Sequence, residues 1–134
     1  MNSKTKEDYA KYRLEKAERC IRTAELDLSD DDYEGAANRS YYGIYHSVRA
    51  ILALDGVDFK RHSGVISYFR REYIKTGVFD KELSVIIGDA FEARGGSDYD
   101  DFYAISKERV KEQIENAKRF YAIIYEYINK RIAD

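Results

Sequence analysis

Apolar residues recur at alternating steps of four and three through three separate segments of this chain, and that spacing dictates helices packed side by side. Ala10, Leu14, Ala17, Ile21, Ala24 and Leu28 form the first stripe; Ala37, Tyr41, Ile44, Val48 and Ile51 form the second; Val110, Ile114, Ala117, Tyr121, Ile124 and Ile128 form the third. No proline occurs anywhere in the 134 residues to break them. The pattern predicts an all-α protein, an antiparallel up-and-down helical bundle of four to five helices, forming one domain over residues 1–134. A chain of this length can build its core without a metal or disulfide staple.

Punctuation between the stripes sets the order of elements. The first helix is expected over residues 6–28, followed by a turn at residues 29–32 in which Asp31 or Asp32 caps the second helix. That helix should run to Asp55 and stop at Gly56, a residue suited to the left-handed position past a helix end. After a connector at residues 57–62, Ser63 is read as the N-cap of a short third helix that ends near Thr76 and Gly77. Asp80 caps a fourth helix that ends at residues 94–96. Residues 97–105 read as an acidic, tyrosine-containing loop, and Ser106 as the N-cap of the last helix. The second helix is expected to be covered on more than one side, because its apolar positions exceed a single stripe.

Charge and cysteine usage exclude several function classes. With 23 basic and 25 acidic residues the formal net charge is −2, so any nucleic-acid contact must be local. The single cysteine, Cys20, rules out an intramolecular disulfide. The opening residues lead into a charged helix, no apolar run reaches bilayer length, and a soluble cytoplasmic protein without membrane contact is the expectation. Thirteen tyrosines are the compositional surplus. Their rings bury while their hydroxyls stay near water or a partner, which suits an oligomer seam or a ligand groove.

Few residues offer chemistry. The histidines are His46 and His62 alone, with no Glu-x-x-His pair, so no metal site and no cofactor is expected. Asp89, Glu92 and the aspartates at positions 98, 100 and 101 read as a solvated acidic region, with a hydrated magnesium ion as the alternative. Phosphate-cradling glycine loops and nucleophile elbows are missing from the sequence. What remains is the second helix, where Arg39, Tyr42 and His46 share a side. An arginine to fork onto a phosphate and a histidine to move a proton make a candidate catalytic pair for RNA cleavage. Simple packing, with His46 hydrogen-bonded to a neighbouring helix, is the competing reading. Lys60, Arg61, His62 and Ser63 form a candidate nucleotide- or phosphate-binding connector, with Tyr42 of the second helix as a further candidate contact, and ordinary capping is the competing reading.

The run from Ala37 to Ala50, then Lys60 to Ile66, then Phe91-Glu92-Ala93-Arg94 before Asp98-Tyr99-Asp100, resembles the HEPN domain, and most closely its small single-domain prokaryotic members. The resemblance spans the first helix to the last. It implies a HEPN-like bundle, a homodimer, a nucleotidyltransferase protein partner in a toxin–antitoxin-like context, and contact with nucleotide or RNA. Active members are metal-independent ribonucleases using Arg-x(4–6)-His. The matching stretch here, Arg94 to Tyr99, keeps the arginine and has no histidine, which implies weak or no catalysis. Ribonuclease action through Arg39 and His46 or through Arg94, and a purely structural dimerisation module, are the alternatives. In some members the partner adenylylates a tyrosine after the motif, which makes Tyr99 and Tyr103 the candidate modification positions.

Overall fold

The structure, a computed structural model, describes the backbone of residues 2–99 and 104–134, and the side chains of these except 96–99. Among the described residues five α-helices follow one another: α1 over Ser3–Ser29, α2 over Tyr33–Asp55, α3 over His62–Phe69, α4 over Glu82–Tyr99 and α5 over Lys107–Ala133. A single π-helical turn, Arg70–Ile74, prolongs α3. The bundle expected from the three stripes is the one observed.

Local chemistry sets the ends. Asn2 Oδ1 accepts the Thr5 amide at 2.9 Å, Asp32 Oδ1 the Gly35 amide at 2.9 Å, and Ser106 Oγ the Arg109 amide at 3.1 Å. Each satisfies a donor that the first helical turn leaves open. Gly56 closes α2 with φ of 73°, a conformation that costs glycine little. Three expected boundaries differ. α1 begins at Ser3 rather than residue 6, because Asn2 caps it. Ser63 is no cap: α3 already begins at His62, with Arg61 in the cap position and no capping side chain, and the amides of Gly64 and Val65 turn back to the Arg61 carbonyl. Nor do Gly95 and Gly96 end α4, which continues to Tyr99. Among the described glycines only Gly56 and Gly77 take the left-handed backbone that a glycine stop requires.

α2 lies at the centre, in contact with α1, α3, α4 and α5. It is covered on several sides, as its excess of apolar positions requires: Ala36, Ala37, Ser40, Tyr41, Gly43, Ile44, Ser47, Val48, Ala50 and Ile51 are all buried. The stripe residues of α1 from Ala10 to Ala24 and those of α5 apart from Tyr121 are buried against it. α1 comes close at Gly43, where a Cβ would stand 2.8 Å from Ile21 Cγ1. At the far end of α2, Asp55 Oδ2 accepts from the hydroxyls of Tyr68 and Tyr73 at 2.9 and 2.6 Å, and Asp55 Oδ1 pairs with Arg131 at 2.7 Å. Several tyrosines therefore act as polar ties between helices. α4 is fastened to α5 by Asp89, whose carboxylate takes both guanidinium nitrogens of Arg109, at 2.6 and 2.8 Å, and the Gln113 amide at 2.8 Å.

Candidate functional site

Three elements converge on the middle of α2. On consecutive turns α2 carries Tyr41, Tyr42, Tyr45 and His46; the start of α3 brings His62; α4 brings Phe91 and Arg94. The His62 ring stacks on Tyr45 at a centroid distance of 4.1 Å, and its Nδ1 lies 3.2 Å from the Tyr41 hydroxyl. Tyr42 meets the same ring edge-on at 5.7 Å. Arg94 places its guanidinium carbon 4.8 Å from the centre of Tyr41 and 5.3 Å from that of Tyr42, a cation–π arrangement on both. A groove of ≈ 260 Å³ opens beside this cluster between α3 and α4, lined by Tyr41, His62, Ser63, Ser67, Arg70 and Phe91 among others.

Electrostatics follow from burial. Desolvation pushes the Tyr41 hydroxyl up to about 12, against the pull of Arg94. Burial first, then the positive charges of Arg94 and Arg49, lower the His62 imidazole from its ordinary value. A phenol held protonated donates to a neutral imidazole, so Tyr41 to Nδ1 is the favoured sense, with the His62 proton on Nε2.

His46 sits in a different setting. Its Nδ1 lies 3.4 Å from an Arg13 guanidinium nitrogen on α1, and because arginine has no acceptor, Nδ1 must accept and Nε2 carries the proton. Burial, reinforced by Arg13, Lys16, Arg49 and His62, pushes this imidazole down to about 4. It is neutral at physiological pH and makes the inter-helix hydrogen bond of the packing reading. Arg39 is exposed and lines, with His46, a hollow of ≈ 230 Å³ that also takes in Lys16, Arg19, Cys20 and Thr23. The Cys20 thiol is raised by burial, although Arg39 lowers it through charge and a hydrogen bond.

The candidate residues thus divide. His62 and Ser63 line the groove, and Tyr42 and Arg94, distant from them in sequence, gather with Tyr41 and His62 beside it; Arg39 and His46 share the adjacent hollow. Tyr42 stands between, 6.2 Å from the His46 ring. Lys60 and Arg61 are exposed on the connector before α3. Tyr103 lies outside the described residues, as does the side chain of Tyr99. Among the described residues no group of three or more histidines, cysteines or carboxylates is placed to hold a metal ion, and Asp89 is engaged by Arg109 and Gln113. Sequence reasoning missed Tyr41 and Tyr45 as the seats of His62 and Arg13 as the partner of His46. Periodicity marked Tyr41 only as core, and nothing in the spacing ties His62 to α2.

The profile described as HEPN domain matches residues 10–128. The chain belongs to the HEPN family. It is 36% identical over 123 residues to a "UPF0332 protein" of Thermotoga maritima, covering 92% of this chain and 93% of that one. A protein of Methanocaldococcus jannaschii named "Putative toxin MJ0142" is 36% identical over 98 residues, 73% of this chain and 67% of the other. A "UPF0332 protein" of Archaeoglobus fulgidus is 28% identical over 123 residues, covering 92% and 98% of the two chains. Within this HEPN bundle, Arg94 is the arginine that the family resemblance singles out, and it lies over the tyrosines that seat His62. Among the described residues no helix is long and apolar enough to cross a membrane.

Proposed function

We propose that this HEPN protein is the toxin-like member of a two-protein pair with a nucleotidyltransferase, and that as a homodimer it binds RNA or nucleotide at the Tyr41–Tyr42–His62–Arg94 cluster with weak or no cleavage. The observation that carries the reading is the meeting of Arg94 and His62 on one pair of tyrosine rings, beside an open groove. Tyr41 is buried beneath Arg94 and His62, whereas the exposed Phe91 ring in the groove and the half-buried Tyr42 offer faces for a stacked base, with the Arg94 guanidinium close by to fork onto a phosphate. Two relatives carry the word toxin in their names, which supports the context.

Weak catalysis follows from how His62 is held. A general acid needs a protonated imidazole near neutral pH, and both burial and two arginines oppose that charge. The proximity of Arg94 and His62 also favours a second reading, a metal-independent ribonuclease in which His62 stands in for the histidine missing after Arg94.

Binding and cleavage of short single-stranded RNA by wild type, His62→Ala and Arg94→Ala separate these readings. The expected result is no cleavage by wild type and a loss of affinity of about tenfold in either variant, in line with one lost stacking or charged contact. Unchanged affinity in both variants refutes the binding site. Cleavage by wild type that His62→Ala abolishes establishes the ribonuclease in its place. Co-expression with a nucleotidyltransferase encoded beside this chain should yield a complex on size-exclusion chromatography, and separate elution of the two removes the partner from the proposal.

A further inference from the structure

The hollow between α1 and α2 lies on the side of α2 occupied by His46, away from the groove just described. Lys16 and Arg19 reach it from α1 and Arg39 from α2, with the Thr23 hydroxyl at its edge. Several cations elsewhere are paired, among them Arg49 with Asp58 at 3.1 Å, Arg109 with Asp89 at 2.6 Å, Lys118 with Glu25 at 3.0 Å and Arg131 with Asp55 at 2.7 Å, while others among the described surface residues are not. Among the described residues none of Lys16, Arg19 and Arg39 has a carboxylate within ion-pair distance. Glu18, on the same helix, turns instead to the Tyr121 hydroxyl of α5. Asp27 lies beyond Arg39 and lines another hollow with Asp32 and Glu34, so Arg39 marks the border between an acidic and a basic surface.

Three like charges gathered in one concavity repel one another, and an anion relieves that repulsion. We propose that this hollow is a phosphate-binding site, in which Lys16, Arg19 and Arg39 receive either a backbone phosphodiester of single-stranded RNA or a free phosphate anion. Two observations beyond the charge count support it. The hollow has a neutral donor ready, since Arg13 occupies His46 Nδ1 and leaves the proton on Nε2. Of the three cations Lys16 also registers on His46 itself, alongside Arg13 of α1, Arg49 of α2 and His62 of α3, with Tyr42 and Tyr45 against its ring. Burial and those charges together hold its imidazole far below the ordinary value.

The inference stands apart from the groove of the preceding section: His46 lines the hollow and His62 the groove, and because His62 bears on His46, a His46 response is assigned to the hollow where loss of Arg19 and Arg39 removes it. Imidazole resonances of the full chain are followed by NMR at low ionic strength, where surface charge is least screened, during titration with inorganic phosphate or a short oligouridylate, against sodium chloride at equal ionic strength. The expected result is a shift of the His46 resonances and a rise in the pH of its midpoint, both lost in the double variant Arg19→Ala/Arg39→Ala. These residues are exposed, and a retained fold is checked by circular dichroism. A His46 response to phosphate identifies a free-anion site; a response to the oligonucleotide alone identifies an RNA-backbone site. No response of His46 to either, or one that persists unchanged in the double variant, overturns the proposal. RNA that moves His62 alone overturns it while leaving the groove reading intact, and RNA that moves His46 alone does the reverse.

Discussion

At the scale of single residues the two histidines make the molecule sensitive to mild acid. Both imidazoles are held below their ordinary value, His46 down to about 4. The unfolded chain therefore takes up protons at a pH where the folded one does not. Stability is fully present above the unfolded value of about 6.5, falls as pH drops below it, and levels off for His46 near 4. Allowing for solvent screening of a half-buried ring, His46 accounts for about 1–2 kcal/mol of that loss. Urea denaturation of His46→Gln between pH 7 and 4 should show a shallower decline than wild type, His62 supplying the remainder. Parallel curves for the two proteins would mean that His46 titrates normally. Asp89 acts in a separate window: hydrogen bonds from Arg109 hold its carboxyl below the usual range, so its contribution persists through mild acid and is lost only as pH falls through that depressed value.

At the scale of elements, the 4-3 stripes made α1, α2 and α5 legible because burial against neighbours repeats with the helical period. Caps with a side-chain oxygen were legible too, as Asp32 and Ser106 show. Less local determinants were not. The start of α3 is set by the docking of His62 on Tyr41 and Tyr45, a tertiary contact that leaves Ser63 inside the helix. α4 tolerates Gly95 and Gly96, each costing about 1 kcal/mol of helix propensity without ending the helix. The site was half legible for the same reason: its residue types stood out, whereas the pairing of His62 with Arg94 depends on α3 and α4 both leaning on α2. Close approach of α1 and α2 gives a test at this scale. Gly43→Ala gains helix propensity but drives a methyl to 2.8 Å from Ile21 Cγ1 and 3.5 Å from the Ala17 carbonyl. Overpacking there should outweigh the gain, for a net loss of about 1–2 kcal/mol in thermal or urea unfolding, with Gly43→Val costing more. A stabilised Gly43→Ala protein would show that the two helices separate without penalty.

For the whole molecule, the bundle divides into a tightly packed α1–α2–α5 body and an α4 held on by fewer contacts. α4 carries Val85 and Phe91 in exposed positions, and it also carries Arg94 to the tyrosine cluster beside the groove. Its tie to α5 through Asp89, Arg109 and Gln113 is two-thirds buried, so cutting it leaves donors without their acceptor. Asp89→Ala should lower global stability by about 2 kcal/mol, the scale for removing one partner of a partly buried charged network. The loss should not be uniform. Hydrogen exchange should quicken across residues 82–95 more than across α1 and α2, because α4 opens locally before the body unfolds. Oligouridylate affinity at the Arg94 cluster should fall with it, while the phosphate response of His46, built only on α1 and α2, should remain. An even loss of protection in all five helices would instead show that α4 and the body open as one unit, and that Arg94 is positioned by the whole bundle rather than by the Asp89 tie.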